Sequence, residues 1–556
     1  MLLHKFLDRV DFDSYEDFKK NFKLNIPKNF NFGFDVVDAW ADYDKNKTAL
    51  VWCNDHGEEK TFTFDDIKKY SNKTANFFKS IGIKKGDRVL LILRRRYEYW
   101  FCAVALHKIG AVLIPASLQL TKKDIAYRNN AAEVSTIVVV NDDYIVEQTE
   151  LAVPESKTLK NKILVNGKRN GWIDFASAIE TMSEEFARPT GEDETHNDEI
   201  FLTYFTSGTT GMPKMVAHNH TYPLGHILTA KYWQKVIDGK LHMTVSDSGW
   251  AKFGWGKIYG QWISGAGVFA YDMDKFVPKN LLDKLVKYKP ATFCAPPTIF
   301  RFMIHEDLSG YDLSFITHCC TAGEPLNPEV YNKWKELTGL SMCEGFGQSE
   351  TPVLVANYDG FEPNPGSMGK PSPMYNIDII DEDGNSCDVG VEGELVVRDI
   401  DKFHPAGLVC EILNDPEATK RKLGGKFYHT GDLAWRDSKG YYWFVGRVDD
   451  VIKCSGYRIG PFEVESALME HPSVLECAIT AAPDPIRGQV VKATIVLTKN
   501  YSPSDELVRE LQNHVKHATA PYKYPRIVEF VSELPKTTSG KIRRAQIRND
   551  DHKKAK

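Results

Sequence analysis

The run from Thr206 to Lys214, TSGTTGMPK, follows directly on the apolar stretch Ile200–Phe205. A buried strand that opens into hydroxyls and glycines and closes on a lysine is built to hold phosphate. Gly208 and Gly211 let the backbone approach a ligand, the loop's N–H groups can form an anion-binding nest, and Lys214 adds a point charge. The spacing is not that of a Walker P-loop, which needs Gly-x-x-x-x-Gly-Lys-Ser/Thr; here Pro213 precedes the lysine and Met215 follows it.

At 556 residues the chain exceeds what one core usually holds, so two to four domains or subdomains are expected. Apolar residues make up 42% and charged residues 26%, as in an ordinary folded protein, and the net charge of −5 gives no reason to expect nucleic acid as a partner. The cysteines (Cys53, Cys102, Cys294, Cys319, Cys320, Cys343, Cys387, Cys410, Cys454 and Cys477) are scattered without a C-x-x-C pair. They read as buried reduced thiols, not as a disulfide frame or a zinc site. The amino terminus breaks into charge too early for a signal peptide, and no apolar stretch approaches the roughly 18 residues of a membrane span. A cytoplasmic protein without a membrane span is the expectation.

Up to about residue 400 short apolar strands alternate with helices. Ile67, Tyr70, Thr74, Phe77, Phe78 and Ile81 recur at helical spacing. Val89–Leu93 lacks alternation and reads as a strand covered on both faces; a helix from Tyr97 to Ile109 ends at Gly110, and Ala111–Pro115 is again a strand. Val134–Val140, Ile200–Phe205 and Ala291–Ala295 repeat the theme, which is that of layered α/β structure. Residues 183–198 are acidic and polar and read as a solvated connector. From about Phe361 short strands and turns suggest a small β-rich subdomain. After Gly446 the pattern starts afresh: a helix from Pro461 to about Glu470, strands at Val474–Ala481 and Val490–Leu497, a helix at Asp505–His517 and a strand at Ile527–Val531. The tail from Asp550 reads as frayed. The division expected is a large α/β body of residues 1–446 and a small α+β body of residues 447–556.

Four further stretches carry chemistry. Gly345–Glu350 (GFGQSE) sets an aromatic, an amide, a hydroxyl and a carboxylate in one loop, and Tyr428–Asp432 (YHTGD) supplies a carboxylate at a strand end, suited to a ribose diol. Gly446–Gly460 (GRVDDVIKCSGYRIG) is long and specific, and Pro535–Lys541 (PKTTSGK) places a lysine on a glycine turn. In this order, together with Thr206–Lys214, they resemble the adenylate-forming superfamily of acyl-CoA synthetases, luciferases and peptide-synthetase adenylation domains, over nearly the whole chain. Ser455–Pro461, Pro483–Gly488, His514–Pro525 and Pro365–Lys370 look like its medium-chain acyl-CoA synthetase branch.

The resemblance implies an AMP-forming acid–thiol ligase using ATP, Mg²⁺ and coenzyme A on a small carboxylic acid, as a monomer or homodimer. It implies that Thr206, Ser207, Gly208, Thr209, Thr210, Gly211, Met212, Pro213 and Lys214 wrap the ATP phosphates. Gly323, Glu324, Pro325, Glu344, Gly345, Phe346, Gly347, Gln348 and Ser349 would frame adenine and the α-phosphate. Ser349 stands where threonine is common and keeps the hydroxyl. Glu350 would hold Mg²⁺, Asp432 and Arg447 the ribose, and Arg458 the nucleotide or its phosphate. Lys541 would stabilise the charge that develops as the carboxylate attacks phosphorus, acting with Thr206 and Glu350 as the catalytic set. Rotation of the small body about Asp449 would then withdraw Lys541 and bring Ser455, Gly456 and Tyr457 to the pantetheine tunnel, with Arg487, Lys516 and Tyr524 on CoA.

For the acyl pocket, Gly347 replaces the tryptophan of acetate-specific relatives and is expected to open the pocket. Trp250, Phe253 and Trp255 are expected to limit its depth, favouring short branched, medium-length or aromatic acids. Two rival readings remain open: an adenylating enzyme with another acyl acceptor, and an inactive nucleotide-binding relative.

Overall fold

The computed structural model describes residues 2–206, 212–454, 457–484, 488–537 and 541–554. Residues 207–211, 455, 456 and 487, and the side chain of Arg458, lie outside that description.

Two large sheets form the first part of the chain. One runs in the order Glu411–Leu413, Lys214–Asn219, Ile200–Thr206, Val112–Pro115, Arg88–Ile92, Thr136–Val140, Asn161–Val165, Ile173–Asp174. Its centre is parallel, and Val89 to Ile92 are fully buried, which explains a strand sequence without alternation. The helix Phe64–Ser80 starts on a reciprocal Thr63/Asp66 capping box and packs on Glu98–Ile109, which ends at Gly110 with φ +79°. Lys108, inside the apolar run, is completely buried and is neutralised by Asp38 at 2.7 Å, with Asn72 at 2.6 Å.

The second sheet places Thr292–Ala295, His318–Thr321 and Met342–Phe346 side by side and parallel. Chain leaving neighbouring parallel strands at their carboxyl ends forms adjacent loops, here 322–327 and 347–354, the usual place for a ligand in such sheets. An antiparallel sheet of Ile377–Ile380, Gly393–Arg398, Phe427–Arg436 and Tyr442–Arg447 follows.

Beyond it come the hairpin Ile452–Cys454/Tyr457–Ile459, the helices Pro461–Met469 and Asp505–Ala518, and a sheet of Val474–Asp484, Gly488–Leu497 and Ile527–Phe530. These share a core of their own that includes Ile452, Ile459, Val464, Leu468, Ile479, Val491, Leu511 and Val515. The expected frayed tail is corrected: Arg544–Lys554 is a helix. It is held because Asp551 reaches the buried Lys492 at 2.5 Å and Arg544 grips Glu465 with both carboxylate oxygens, at 2.7 and 2.8 Å. The cysteines are free, and all but Cys410 are buried.

Histidines are packed inside the first body. Burial lowers the pKa of His218 and His242 to about 3 and of His220 and His318 to about 4, so these rings are neutral at physiological pH. A group whose folded pKa lies below its unfolded value stabilises fully above about 6.5 and loses that contribution as pH falls towards the folded value. Each such histidine therefore costs up to about 1.4 kcal/mol per pH unit below 6.5. The urea midpoint is expected to fall steadily from pH 7.5 to 5.5, and His318→Gln, which keeps a donor for the Trp233 carbonyl, should make that fall shallower.

Candidate active site

Three segments converge. The first is the hairpin of Ile200–Thr206 and Lys214–Asn219, in which Thr206 pairs with Lys214. The ends of the phosphate-type loop thus face each other at the tip of two strands. Tyr127 donates to the Pro213 carbonyl at 2.9 Å, and Met212 is exposed. Ser207, Gly208, Thr209, Thr210 and Gly211 fall outside the described residues.

The second is the pair of strand-end loops. Gly323 has φ +100°, a conformation that suits glycine, and Glu324 accepts from Thr298 Oγ1 at 2.6 Å. Glu344 turns inward: it is buried, Leu326 N donates to it at 3.3 Å, and burial raises its carboxyl to about 8. Its side chain ties the two loops together through that bond. Gly345 has the Trp233 ring where a Cβ would be, at 2.5 Å. His218 Nε2 lies 2.8 Å from the Ser349 carbonyl, which fixes the neutral ring as an Nε2 donor.

The third is the strand Phe427–Arg436. Asp432 lies within it, not at its end as the sequence reading expected, and stands opposite Arg447 in register. The Asp432 carboxylate is 4% exposed, takes Arg447 Nη1 at 3.2 Å and accepts from the Gln348 amide. Tyr428 donates to Gln348 Oε1, so the amide can only present its NH₂ to Asp432. Burial raises the Asp432 pKa, opposed by Arg447, Lys422, Gln348 and Lys541. Gly431, at φ +71°, has the Arg447 guanidinium 3.1 Å from where its Cβ would be. Glu350 is largely buried with Lys422 Nζ at 3.7 Å.

The Lys541 N–H donates to Thr537 Oγ1 and Thr537 N donates to the Lys541 carbonyl, while residues 538–540 between them fall outside the described residues. Lys541 lies near enough to Asp432 and Lys252 for its charge to lower the pKa of both. Lys252, which the sequence reading passed over, donates to the Ala322 carbonyl at 2.7 Å, and burial lowers its pKa. Its position between Trp250 and Trp255 in the sequence was the available signal. Lys422, on the amphipathic helix Pro416–Leu423, gave none.

The expected CoA residues gather elsewhere. Tyr457 stacks on Tyr522 at 4.1 Å, and Lys516 sits over the Tyr524 ring at 4.3 Å, with Arg526 donating to the Tyr524 hydroxyl. Ser455, Gly456, Arg487 and the Arg458 side chain are outside the description. Asp449 lies exposed in the turn that follows Arg447, and its neighbour Asp450 is paired with Arg548 of the last helix.

The acyl-pocket expectations need two corrections. Phe253 is core, packed between Tyr99 and Trp100 at ring distances of 4.6 and 5.2 Å. Gly347 does not leave an open space: the Trp255 ring would lie 2.4 Å from a Cβ there, so Trp255 takes up the volume that the missing tryptophan vacates. Trp250 is half-buried, and the indole N–H groups of Trp250 and Trp255 lack a hydrogen-bond partner among the described residues.

The family model of AMP-binding enzymes matches residues 37–401 and that of the AMP-binding enzyme C-terminal domain residues 463–541. The chain belongs to the AMP-binding enzyme family. It is 42% identical to the mitochondrial acyl-coenzyme A synthetase ACSM3 of Pongo abelii, over 98% of this chain and 93% of that one. It is 44% identical to the human mitochondrial acyl-coenzyme A synthetase ACSM4, over 95% and 91%. Among solved structures it resembles the anthranilate CoA ligase AuaEII in complex with anthranoyl-AMP, with TM-score 0.87 and 28% identity over 95% of this chain and 99% of that one. An acyl-CoA synthetase of Brucella canis matches with TM-score 0.72 and 28% identity, over 98% and 100%.

The cytoplasmic expectation is overturned by these relatives, whose names place ACSM3 and ACSM4 in mitochondria. Reduced cysteines and the absence, among the described residues, of a helix long and apolar enough to cross a membrane fit any reducing compartment equally.

Tyr428→Phe is expected to free the Gln348 amide and leave its oxygen without a donor, weakening AMP binding about tenfold for a lost bond of about 1.4 kcal/mol. Calorimetric titration of AMP against the variant measures it.

Proposed function

We propose that this protein is an AMP-forming acid–CoA ligase built from a large body, residues 1–446, and a small one, 447–556, joined near Asp449. The observation that carries the reading is the Gln348–Asp432–Arg447 cluster, held beside the Lys214–Asn219 strand by His218 against the Ser349 carbonyl and close enough to Lys541 for its charge to act on Asp432. The Thr206–Lys214 loop would bind the β- and γ-phosphates, Asp432 and Arg447 the ribose hydroxyls. A carboxylate oxygen of the acid attacks the α-phosphorus, the bond to the bridging oxygen breaks, and pyrophosphate leaves. Lys541 would offset the negative charge that develops between the two anions. The CoA thiolate then attacks the acyl carbonyl and AMP leaves, giving the thioester. Tyr457, Lys516 and Tyr524 would meet CoA after the small body turns.

Glu350 suits Mg²⁺: it is a single hard oxygen donor beside the phosphate-binding segments. Among the described residues no cluster of three potential ligands accompanies it. What fits is a cation shared with phosphate oxygens, and its charge would offset theirs.

For the acid, Trp255 against Gly347 and the half-buried Trp250 favour a short branched, medium-length or small aromatic acid over a long chain. AuaEII, a ligase of an aromatic acid, has a similar fold. ATP, Mg²⁺ and a panel from acetate to palmitate, with isobutyrate, 2-methylbutyrate and benzoate, should give AMP and CoA thioester only when CoA is present. Acyl-AMP without thioester would favour an enzyme with another acceptor, and no pyrophosphate release above a Lys541→Ala control would favour an inactive relative. Trp255→Ala should raise kcat/KM for octanoate relative to butyrate by roughly tenfold or more, the scale of a few methylene contacts. An unchanged ratio would remove Trp255 from the pocket wall.

A further inference from the structure

We propose that Arg301 is a positioning residue that couples the loop at Glu324 to the turn carrying Lys541, holding the small body in the arrangement for acyl-AMP formation. This rests on the ligase reading above. Arg301 lies on the helix Pro297–Met303, in the large body, far in sequence from every motif of the site. Its Nη2 donates to Thr298 Oγ1 at 3.1 Å, and that hydroxyl donates on to Glu324 at 2.6 Å. Arg301 Nη2 also lies 3.7 Å from Glu476, on the strand Val474–Asp484 of the small body. The two side chains are 20% and 13% exposed, sheltered enough for their charges to be only partly screened. Glu476 is in turn gripped by Lys536 Nζ, at 2.8 and 2.9 Å to its two oxygens.

Lys536 opens the turn that presents Lys541. It pairs with Ile542 across an isolated bridge, and Thr537 and Lys541 exchange two hydrogen bonds directly above. A continuous polar chain therefore runs Glu324, Thr298, Arg301, Glu476, Lys536 to the base of the lysine turn, crossing between bodies at one contact. A contact between the Asn327 amide and the Ser466 carbonyl, at 3.4 Å, lies beside it. The crossing point is a charge pair with one partner on each body, so it exists only while the bodies are in this relative position. Turning the small body to meet CoA must break it. The chain thus stabilises one half-reaction's geometry and makes no contribution to the other.

The test measures the two half-reactions separately in the full-length protein. Pyrophosphate release with ATP and acid reports acyl-AMP formation; thioester from supplied acyl-AMP and CoA reports the second step. Arg301→Ala should lower the kcat of acyl-AMP formation about tenfold or more, with KM for ATP and the rate from supplied acyl-AMP within about twofold. Glu476→Gln should do the same, the double variant should lose little more than either single one, and Arg301→Lys should recover part of the loss. Equal loss in both half-reactions, or additive losses in the double variant, would overturn the coupling. So would an active wild type with an unaltered Arg301→Ala variant, and that result would leave the ligase reading intact. A wild type that forms neither acyl-AMP nor thioester would overturn both.

Discussion

The buried carboxylate of Asp432 sets the terms for everything around it. The residue is 4% exposed, so its charge must be paired or neutralised, and two other segments meet that demand: Gln348 from a strand-end loop and Arg447 from the neighbouring strand. Gln348 is oriented in turn by Tyr428, and Arg447 immediately precedes the turn holding Asp449. One desolvated charge thereby fixes the strand-end loop at Gln348 against the strand that runs on to Asp449. On the proposed reading the same cluster grips the ribose. The site's rigidity and the place about which the small body turns then share one origin.

Much of this was legible in the sequence because the signals are local. Val89–Leu93 announced a doubly covered strand by lacking alternation, Gly110 marked a helix end, and the helix and strand order after Gly446 followed from periodicity. The motif residues Thr206, Lys214, Gln348, Asp432, Arg447 and Lys541 each lie in or next to short, chemically unusual runs; Gln348, Asp432 and Arg447 meet in one hydrogen-bonded cluster, and Thr206 pairs with Lys214. What stayed hidden depends on partners distant in sequence. The direction of Glu344, inward onto Leu326, is set by a neighbouring loop. Helix Arg544–Lys554 has weak amphipathic patterning and persists through ion pairs to Lys492, Glu465 and Asp450 that no local window contains.

The acyl pocket shows the same limit from the other side. Gly347 reads as a departure from acetate-specific relatives, yet the loss of one side chain does not define a volume. Trp255, from a helix of the large body, lies against that glycine, and Phe253, only two residues earlier, turns into the core. Successive aromatic residues on a short helix point to different sides, so composition alone could not separate wall from core. Compartment was likewise illegible: nothing in the residues distinguishes one reducing compartment from another, and what speaks against the cytoplasmic reading is the names of the relatives.

On the proposed reading the acid's own oxygen attacks the α-phosphorus of ATP. Supplying the acid with ¹⁸O in both carboxylate positions and analysing the nucleotide by mass spectrometry tests it directly. Acyl-AMP formation followed by transfer to CoA places one labelled oxygen in the AMP and none in pyrophosphate. Label in orthophosphate or pyrophosphate, or unlabelled AMP released together with thioester, would contradict the account.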